Sequence, residues 1–235
     1  MQLLADEPIF DKSQLLKITA DFEQISGLLY AAVQQLELDL SSKQYWQLIK
    51  YLDTLLMWSK AYNLTAITQP VEALVKHVID CLAIIPLLQD LPQEDLLDIG
   101  TGAGLPAIII AICQPQRMCT PLDSNQKKIR FIRQVVSEIG LTNVKPTASR
   151  IQAYENKHTL ITSRAFASLE DFICLAATKL ADTGCLVAMK GKAPAINEIE
   201  ALSKYWLIDV KPLTVPYLSD ARHLVILKKN NKKVN

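Results

Sequence analysis

Leu96-Leu97-Asp98-Ile99-Gly100-Thr101-Gly102-Ala103-Gly104-Leu105-Pro106 is the stretch on which the reading of this chain turns. The 235 residues contain only seven glycines, and three of them fall between positions 100 and 104. A short apolar run ends near an acid, glycine then alternates with small residues, and an apolar run from Leu105 to Cys113 follows. That order spells strand, tight turn and helix, with room for a ligand at the turn.

Glycine lets the backbone turn sharply and lets a ligand approach without meeting a Cβ. A dinucleotide fingerprint reads G-x-G-x-x-G and sets a pyrophosphate on the helix start. Here the pattern is G-x-G-x-G, and Leu105 stands where the third glycine would be. Asp98 precedes the first glycine by two residues. A carboxylate there repels a pyrophosphate and favours an ammonium-bearing amino-acid moiety. Spacing and acid together point to S-adenosylmethionine rather than NAD, with Asp98, Gly100, Gly102 and Gly104 as cofactor residues. A plain strand–helix turn without a ligand is the weaker alternative. Asp123 ends the next apolar run, where an acid is expected to accept from ribose hydroxyls.

Outward from the turn, short apolar runs alternate with amphipathic ones, as in a doubly wound α/β domain. Strands are expected at 96–99, 118–122, 144–147, 159–162, 185–189, 206–210 and 224–227. Helices are expected at 105–113, 125–139, 169–180 and 195–202. The last two strands have no helix between them, so they should be antiparallel. Before position 94 the pattern is helical. Ser41 and Gln44 form a capping box for a helix through Leu55 and Leu56, and Pro70 restarts a helix through Ile79. The division expected is an N-terminal extension at 1–26, either helix or mobile arm, a helical portion at 27–93, a core at 94–228 and a basic tail at 229–235.

Composition narrows the function. Half of the residues are hydrophobic and the formal net charge is +1, so any nucleic-acid contact must come from local patches. Lys127, Lys128, Arg130 and Arg133 avoid the apolar stripe of their helix; a phosphate-contacting patch and an ordinary solvated face both fit. Lys228, Lys229, Lys232 and Lys233 read as a frayed tail. The five cysteines form no C-x-x-C pair, and Cys113, Cys174 and Cys185 sit among apolar neighbours. They read as reduced cysteines of a cytoplasmic protein. The three histidines are far apart, so no metal site is expected. No run is long enough to cross a bilayer, and the acidic start is unlike a signal peptide. A monomer is the expectation.

Several segments, in order over roughly residues 27 to 228, resemble the glucose-inhibited division protein B family. These are Trp58-Ser59-Lys60-Ala61-Tyr62-Asn63-Leu64-Thr65, His77-Val78-Ile79-Asp80, the glycine turn, Leu122-Asp123-Ser124, Arg130-Phe131-Ile132-Arg133, Ser163-Arg164-Ala165-Phe166-Ala167-Ser168-Leu169, Lys190-Gly191 and Arg222-His223-Leu224. Ala103, Ala107, Gln152 and Cys81 stand where the family usually has Pro, Gly, Glu and Ser.

The resemblance implies a class I S-adenosylmethionine-dependent methyltransferase: a Rossmann-like, mostly parallel sheet with an antiparallel last strand, behind an N-terminal helical portion. It implies methyl transfer to guanine N7 in 16S ribosomal RNA, so the partner is that RNA or the small ribosomal subunit. It implies cofactor contacts at Gly100 and Leu105 in the turn, and at Ile151, Gln152 and Arg164. Arg164 and Lys190 are candidate catalytic residues; Asn63, Lys127, Lys128, Arg130, Lys190 and Arg222 are candidate RNA contacts. Guanine N7 has a free lone pair and no proton to lose, which agrees with the lack of an evident nucleophile or base. Two other functions remain open on residues alone: a non-catalytic RNA-binding protein on this scaffold, and an NAD-dependent oxidoreductase.

Overall fold

The computed structural model describes residues 12–164, 166 and 168–230. The tail lysines Lys232 and Lys233 and most of the proposed 229–235 tail lie outside the described residues, as do residues 1–11.

Seven strands form one sheet in the order β3-β2-β1-β4-β5-β7-β6. They are β1 Asp95–Ile99, β2 Met118–Asp123, β3 Thr147–Ala148, β4 His158–Ser163, β5 Leu180–Lys190, β6 Trp206–Leu213 and β7 Arg222–Lys229. Strands β1 to β5 are parallel, and β7 runs antiparallel to both β5 and β6. The described helices are α1 Phe22–Gln35, α2 Ser42–Tyr62, α3 Pro70–Ala73, α4 Asp80–Leu82, α5 Ala107–Cys113, α6 Gln126–Glu138, α7 Leu169–Ala176 and α8 Ile196–Leu202. A π-helical turn, Leu74–Ile79, joins α3 to α4. The order of the sheet reverses between β1 and β4, and chains leaving a sheet at such a switch point diverge and leave a crevice. The glycine turn follows β1, and Arg164 follows β4.

The central strands β1, β4 and β7 are largely apolar because both faces are covered, whereas β3 and β6 at the edges are partly exposed. Alternate residues feed two separate cores. Leu96, Leu160, Cys185, Val187, Leu224 and Ile226 join one core with α1, α2, α5 and α6. Leu97, Ile99, Ile161, Leu186, Val225 and Leu227 join the other, under α7. The first core is continuous from Leu15 to Ile226, so the helical portion and the α/β portion share one interior.

Helix α2 is the keel of that interior. Its capping box forms as the sequence spells it, with the Ser41 side chain accepting from the Gln44 N–H. The Gln44 side chain donates to the Ile112 carbonyl at 2.7 Å, and Gln47 to the Ile139 carbonyl at 2.8 Å. The Tyr51 hydroxyl donates to the Ala103 carbonyl at 3.0 Å, and the Thr54 hydroxyl to Glu138 Oε2 at 3.0 Å. Spaced three or four apart, these four lie along one side of the helix. They tie it to the ends of α5 and α6 and to the glycine turn.

Several expected boundaries move. The helix after the glycine turn begins at Ala107, not Leu105; the residue before a proline is pushed out of the α region, so Leu105 cannot open it. The third strand is Thr147–Ala148 rather than 144–147, with Val144 making only an isolated bridge to Cys119. Pro146 lies between them and has no N–H to donate to a ladder. The helix expected to reach Leu180 stops at Ala176, and β5 begins at Leu180 rather than Cys185. Asp182-Thr183-Gly184, left between the expected helix and strand, runs as strand beside a shift of register against β4. A Cβ on Gly184 would stand 2.7 Å from the Thr159 carbonyl oxygen, so the glycine admits the close approach. A boundary after residue 26 falls inside α1, and β7 continues past residue 228 to Lys229. Cys174 is exposed rather than apolar-packed, because it lies on the outer side of α7.

Residues 15–18 are held rather than loose. Leu15 and Ile18 are buried, and the backbone N–H groups of Leu16, Lys17 and Ile18 all donate to Asp53, at 3.0, 2.6 and 3.2 Å. Asp53 is fully buried in the middle of α2. Replacing it by alanine strands three backbone donors, and Asp53→Ala is expected to cost about 3 kcal/mol in urea denaturation, with Asp53→Asn losing less. Equal stability of Asp53→Ala and the parent would show that the clamp contributes nothing.

Candidate active site

Gly100, Gly102 and Gly104 take φ of +69°, +61° and +90°, the left-handed region that side chains disfavour. Gly104 is also sterically required, since a Cβ there would sit 2.6 Å from Ile108 Cγ1. The N–H groups of Gly100 and Thr101 both donate to the Leu122 carbonyl, at 2.9 and 3.1 Å, stitching the end of β1 to that of β2. Asp123 completes the stitch. Its Oδ2 accepts from the Gly102 N–H at 3.1 Å and its Oδ1 from the Asn125 N–H at 2.8 Å.

Asp98 does not face the cleft. It is fully buried beneath the turn, and its Oδ2 accepts from the Thr101 hydroxyl. Burial pushes its carboxyl up to about 8, against the pull of Thr101 and of the Ala107 backbone N–H. At neutral pH it is largely a neutral acid that shapes the loop. The repulsion of a pyrophosphate expected from Asp98 is therefore not exerted by this residue.

Three clefts meet around the turn. The first, about 420 Å³, is lined by Gly100, Asp123, Ser124, Ile151, Gln152 and Phe166 among others. The second, about 270 Å³, is lined by Gly100 to Ala103, Leu105, Thr65, His77, Lys128 and Arg164. They share Gly100. The third, about 380 Å³, is lined by Ile67, Lys76, His77, Asp80, Arg164, Met189, Lys190, Gly191 and Arg222. It shares His77 and Arg164 with the second.

The third cleft is cationic around one carboxylate. Asp80 is buried, with Oδ1 accepting from Arg222 Nε at 2.9 Å and Oδ2 facing Arg164 Nη1 at 3.4 Å. Arg164 Nη1 also donates to the Lys76 carbonyl at 3.2 Å, and Lys190 Nζ to the Phe166 carbonyl at 3.1 Å. Burial pulls the Arg164 pKa down, but Cys81, Asp80 and the other acidic groups beside it outweigh that and leave it raised, so it stays a cation. His77 is different. Burial first, and the Arg164 charge second, lower its pKa to about 4, so the imidazole is neutral at physiological pH. Its Nε2 is paired with the Thr65 hydroxyl at 2.7 Å.

Thus the fold brings Gly100, Gly102, Leu105, Asp123, Ile151, Gln152 and Arg164 to two adjoining clefts, and Arg164, Lys190 and Arg222 to a third. Gly104 sits in the turn itself and shapes it without lining these clefts. Lys128 reaches the turn and lies 3.9 Å from Asp123. Lys127 and Arg130 are exposed on α6 and line none of the three. Asn63 ends α2 in the left-handed conformation and lines a neighbouring groove with Lys17 and Lys60. Sequence reasoning gave no role to Asp80, His77 or Tyr51. The π turn that carries His77 and leads into Asp80 has no compositional mark, although such turns gather at functional sites. Among the described residues no cluster suits a metal ion, and no helix is long and apolar enough to cross a membrane.

The family described as GidB, rRNA small subunit methyltransferase G, matches residues 44–225. A ribosomal RNA small subunit methyltransferase G from Psychrobacter cryohalolentis is 58% identical over 221 residues, covering 94% of this chain and 92% of that protein. One from Acinetobacter baylyi is 47% identical over 200 residues, covering 83% and 92%. Among solved structures, the tRNA (m1A58) methyltransferase TrmI from Aquifex aeolicus superposes with a TM-score of 0.52 at 12% identity, over 66% of this chain and 69% of that one. A ribosomal protein L11 methylase from Lactobacillus delbrueckii does so with a TM-score of 0.50 at 18% identity, over 65% and 77%. These two show the fold.

The Asp98 proton gives a pH test. Its pKa is raised on folding from 3.8 to about 8, so the folded chain binds that proton more tightly. The contribution to stability falls as pH rises through that window and is flat above it. Asp98→Asn removes this term, so its denaturation midpoint should vary less between pH 5 and pH 8 than that of the parent. Identical profiles would reject a buried neutral Asp98. Gly104→Ala, with a strained φ and a clash at Ile108, is expected to lose about 2–3 kcal/mol by the same measurement.

Proposed function

The chain belongs to the rRNA small subunit methyltransferase G family, and on that premise we propose that it binds S-adenosylmethionine at the glycine turn and methylates N7 of one guanine in 16S ribosomal RNA. The observation that carries the reading is the meeting of the three clefts at Gly100, His77 and Arg164. One end offers a carboxylate at Asp123 and a small apolar shelf at Ile151, which suits an adenosine. The middle offers glycine backbone, Lys128 and Arg164, which suits the carboxylate of an amino acid. No Cβ projects from Gly102, and one built there would have only the Gly100 carbonyl, 4.0 Å away, as a neighbour. The residues present therefore fit the cofactor.

S-adenosylmethionine supplies a methyl group on a sulfonium, which is electrophilic without further activation. The chain's task is to present N7 in line with that carbon and to exclude water. N7 carries a lone pair and no proton, so no residue need take one. His77, neutral and paired with Thr65, wedges between the middle and third clefts without adding a charge. Guanine shows O6 and N7 as acceptors. A donor on N7 would occupy the lone pair that must attack. Arg164, Lys190 and Arg222 therefore serve at O6 and at phosphate, leaving N7 bare. The surplus of cations in the third cleft draws the RNA backbone toward it.

Labelled S-adenosylmethionine and small subunits lacking the modification should yield one labelled 7-methylguanosine in 16S RNA. RNA binding with no transfer to subunits or naked RNA would make the chain a non-catalytic binder. Arg164→Ala should fold normally and lose at least tenfold in kcat/KM, and unchanged transfer would remove Arg164 from the site.

A further inference from the structure

We propose that Asp80 is a positioning residue for the methyl acceptor: its buried carboxylate fixes the guanidinium groups of Arg164 and Arg222 as one paired wall of the third cleft. The inference rests on the functional reading above, because it takes that cleft as the acceptor site.

Three segments far apart in the chain meet at this carboxylate. Asp80 leaves the π turn, whose last bond runs from the Asp80 N–H to the Val75 carbonyl five residues back. A π turn inserts one residue relative to an α-helix and so re-aims the side chains that follow it. Arg164 comes from the end of β4, 84 positions along the chain, and Arg222 from the start of β7, 142 along. Each guanidinium spends part of its donor set on Asp80 and a nearby carbonyl, Lys76 for Arg164 and Ala221 for Arg222. A guanidinium has five N–H groups in a rigid plane, so fixing one edge also fixes where the remaining donors point. Both arginine side chains keep partial exposure, 29% and 21%, whereas that of Asp80 keeps 4%. The carboxylate is the hidden anchor and the guanidiniums are the accessible surface.

Attraction of a polyanion alone gives Asp80 no reason to be there. It is the one carboxylate lining a cleft that also holds Lys76, Arg164, Lys190 and Arg222. For a polyanionic acceptor it subtracts attraction. Two arginines without an anchor would also repel each other and splay. Asp80 trades some of the cleft's pull on RNA for a fixed geometry of two donor planes, which matters when O6 and phosphate must be held while N7 stays free.

That trade gives a signature that a merely structural role lacks. Asp80→Asn keeps the shape and removes the charge, and it should lower kcat at least tenfold while KM for unmodified small subunits stays level or falls. Asp80→Glu should recover part of kcat. Arg222→Gln should lower kcat comparably, and the Asp80→Asn, Arg222→Gln double variant should be no worse than the worse single one, because both act through one unit. Multiplicative losses, or an Asp80→Asn kcat within twofold of the parent, would overturn the inference. If Asp80→Asn fails to fold, Arg222→Lys carries the test. It keeps the charge but loses the planar fork, and parental turnover in it would overturn the paired wall. The parent is assayed alongside: an inactive parent overturns the functional reading itself, while an active parent with unimpaired variants overturns this inference alone.

Discussion

One carbonyl, that of Leu122, fixes where the glycine turn can go. It accepts from two successive N–H groups, those of Gly100 and Thr101. To meet it the chain must double back at the end of β1, and glycine takes the left-handed conformations that follow without the steric cost a Cβ would bring. The two acids that frame the turn then divide the labour. Asp98 works from beneath as a largely neutral acid on Thr101, and Asp123 works from the side as an acceptor for Gly102 and Asn125. Tyr51 closes the arrangement from α2 through the Ala103 carbonyl. Every wall of the site is placed relative to this loop, because the first two clefts share Gly100 and the third adjoins them through Arg164 and His77.

The helices before β1 belong to the same construction. Alternation along the strands sends half of their apolar side chains into the interior that α1 and α2 complete. This is why a division near residue 94, natural from the change in sequence pattern, does not mark two independently packed bodies. It also explains the π turn as part of the site. Whatever carries His77 and Asp80 must pack on α1 and α2 behind and face β4 and β7 in front.

Much of this was legible in the sequence. The pattern of apolar runs located six of the seven strands and touched the third only at Thr147, the capping box located α2, and the glycine spacing with Asp123 located the turn. What escaped had physical causes. Pro146 silenced a ladder position that composition favoured, and Gly184 served close approach within a strand that begins ahead of its apolar run. Asp98 looked like a charge facing a ligand because sequence does not report burial. Lys127 and Arg130 share composition with Lys128 but not its direction, and direction depends on where α6 meets the turn. Asp80 stands in the family-matching His77-Val78-Ile79-Asp80 stretch, but its role escaped. An acid in a short helix is unremarkable until two arginines from distant strands arrive at it, and no local pattern encodes that meeting.

The position of β7 carries a consequence for how the protein comes into being. The strand is the last described element of the chain, yet it is inserted between β5 and β6 rather than added at the edge. A nascent chain emerges N-terminus first. The glycine turn, the π turn and Arg164 all precede β7 in the chain, so the gap beside β5 stays open, and Arg222 out of place, until that strand is laid in. Asp80 meets both arginines only once β7, the last strand among the described residues, is in place. The third cleft is thus built in part by the strand that fills that gap, and a chain from which β7 were cut away would keep its glycine turn while losing the Arg222 side of that cleft.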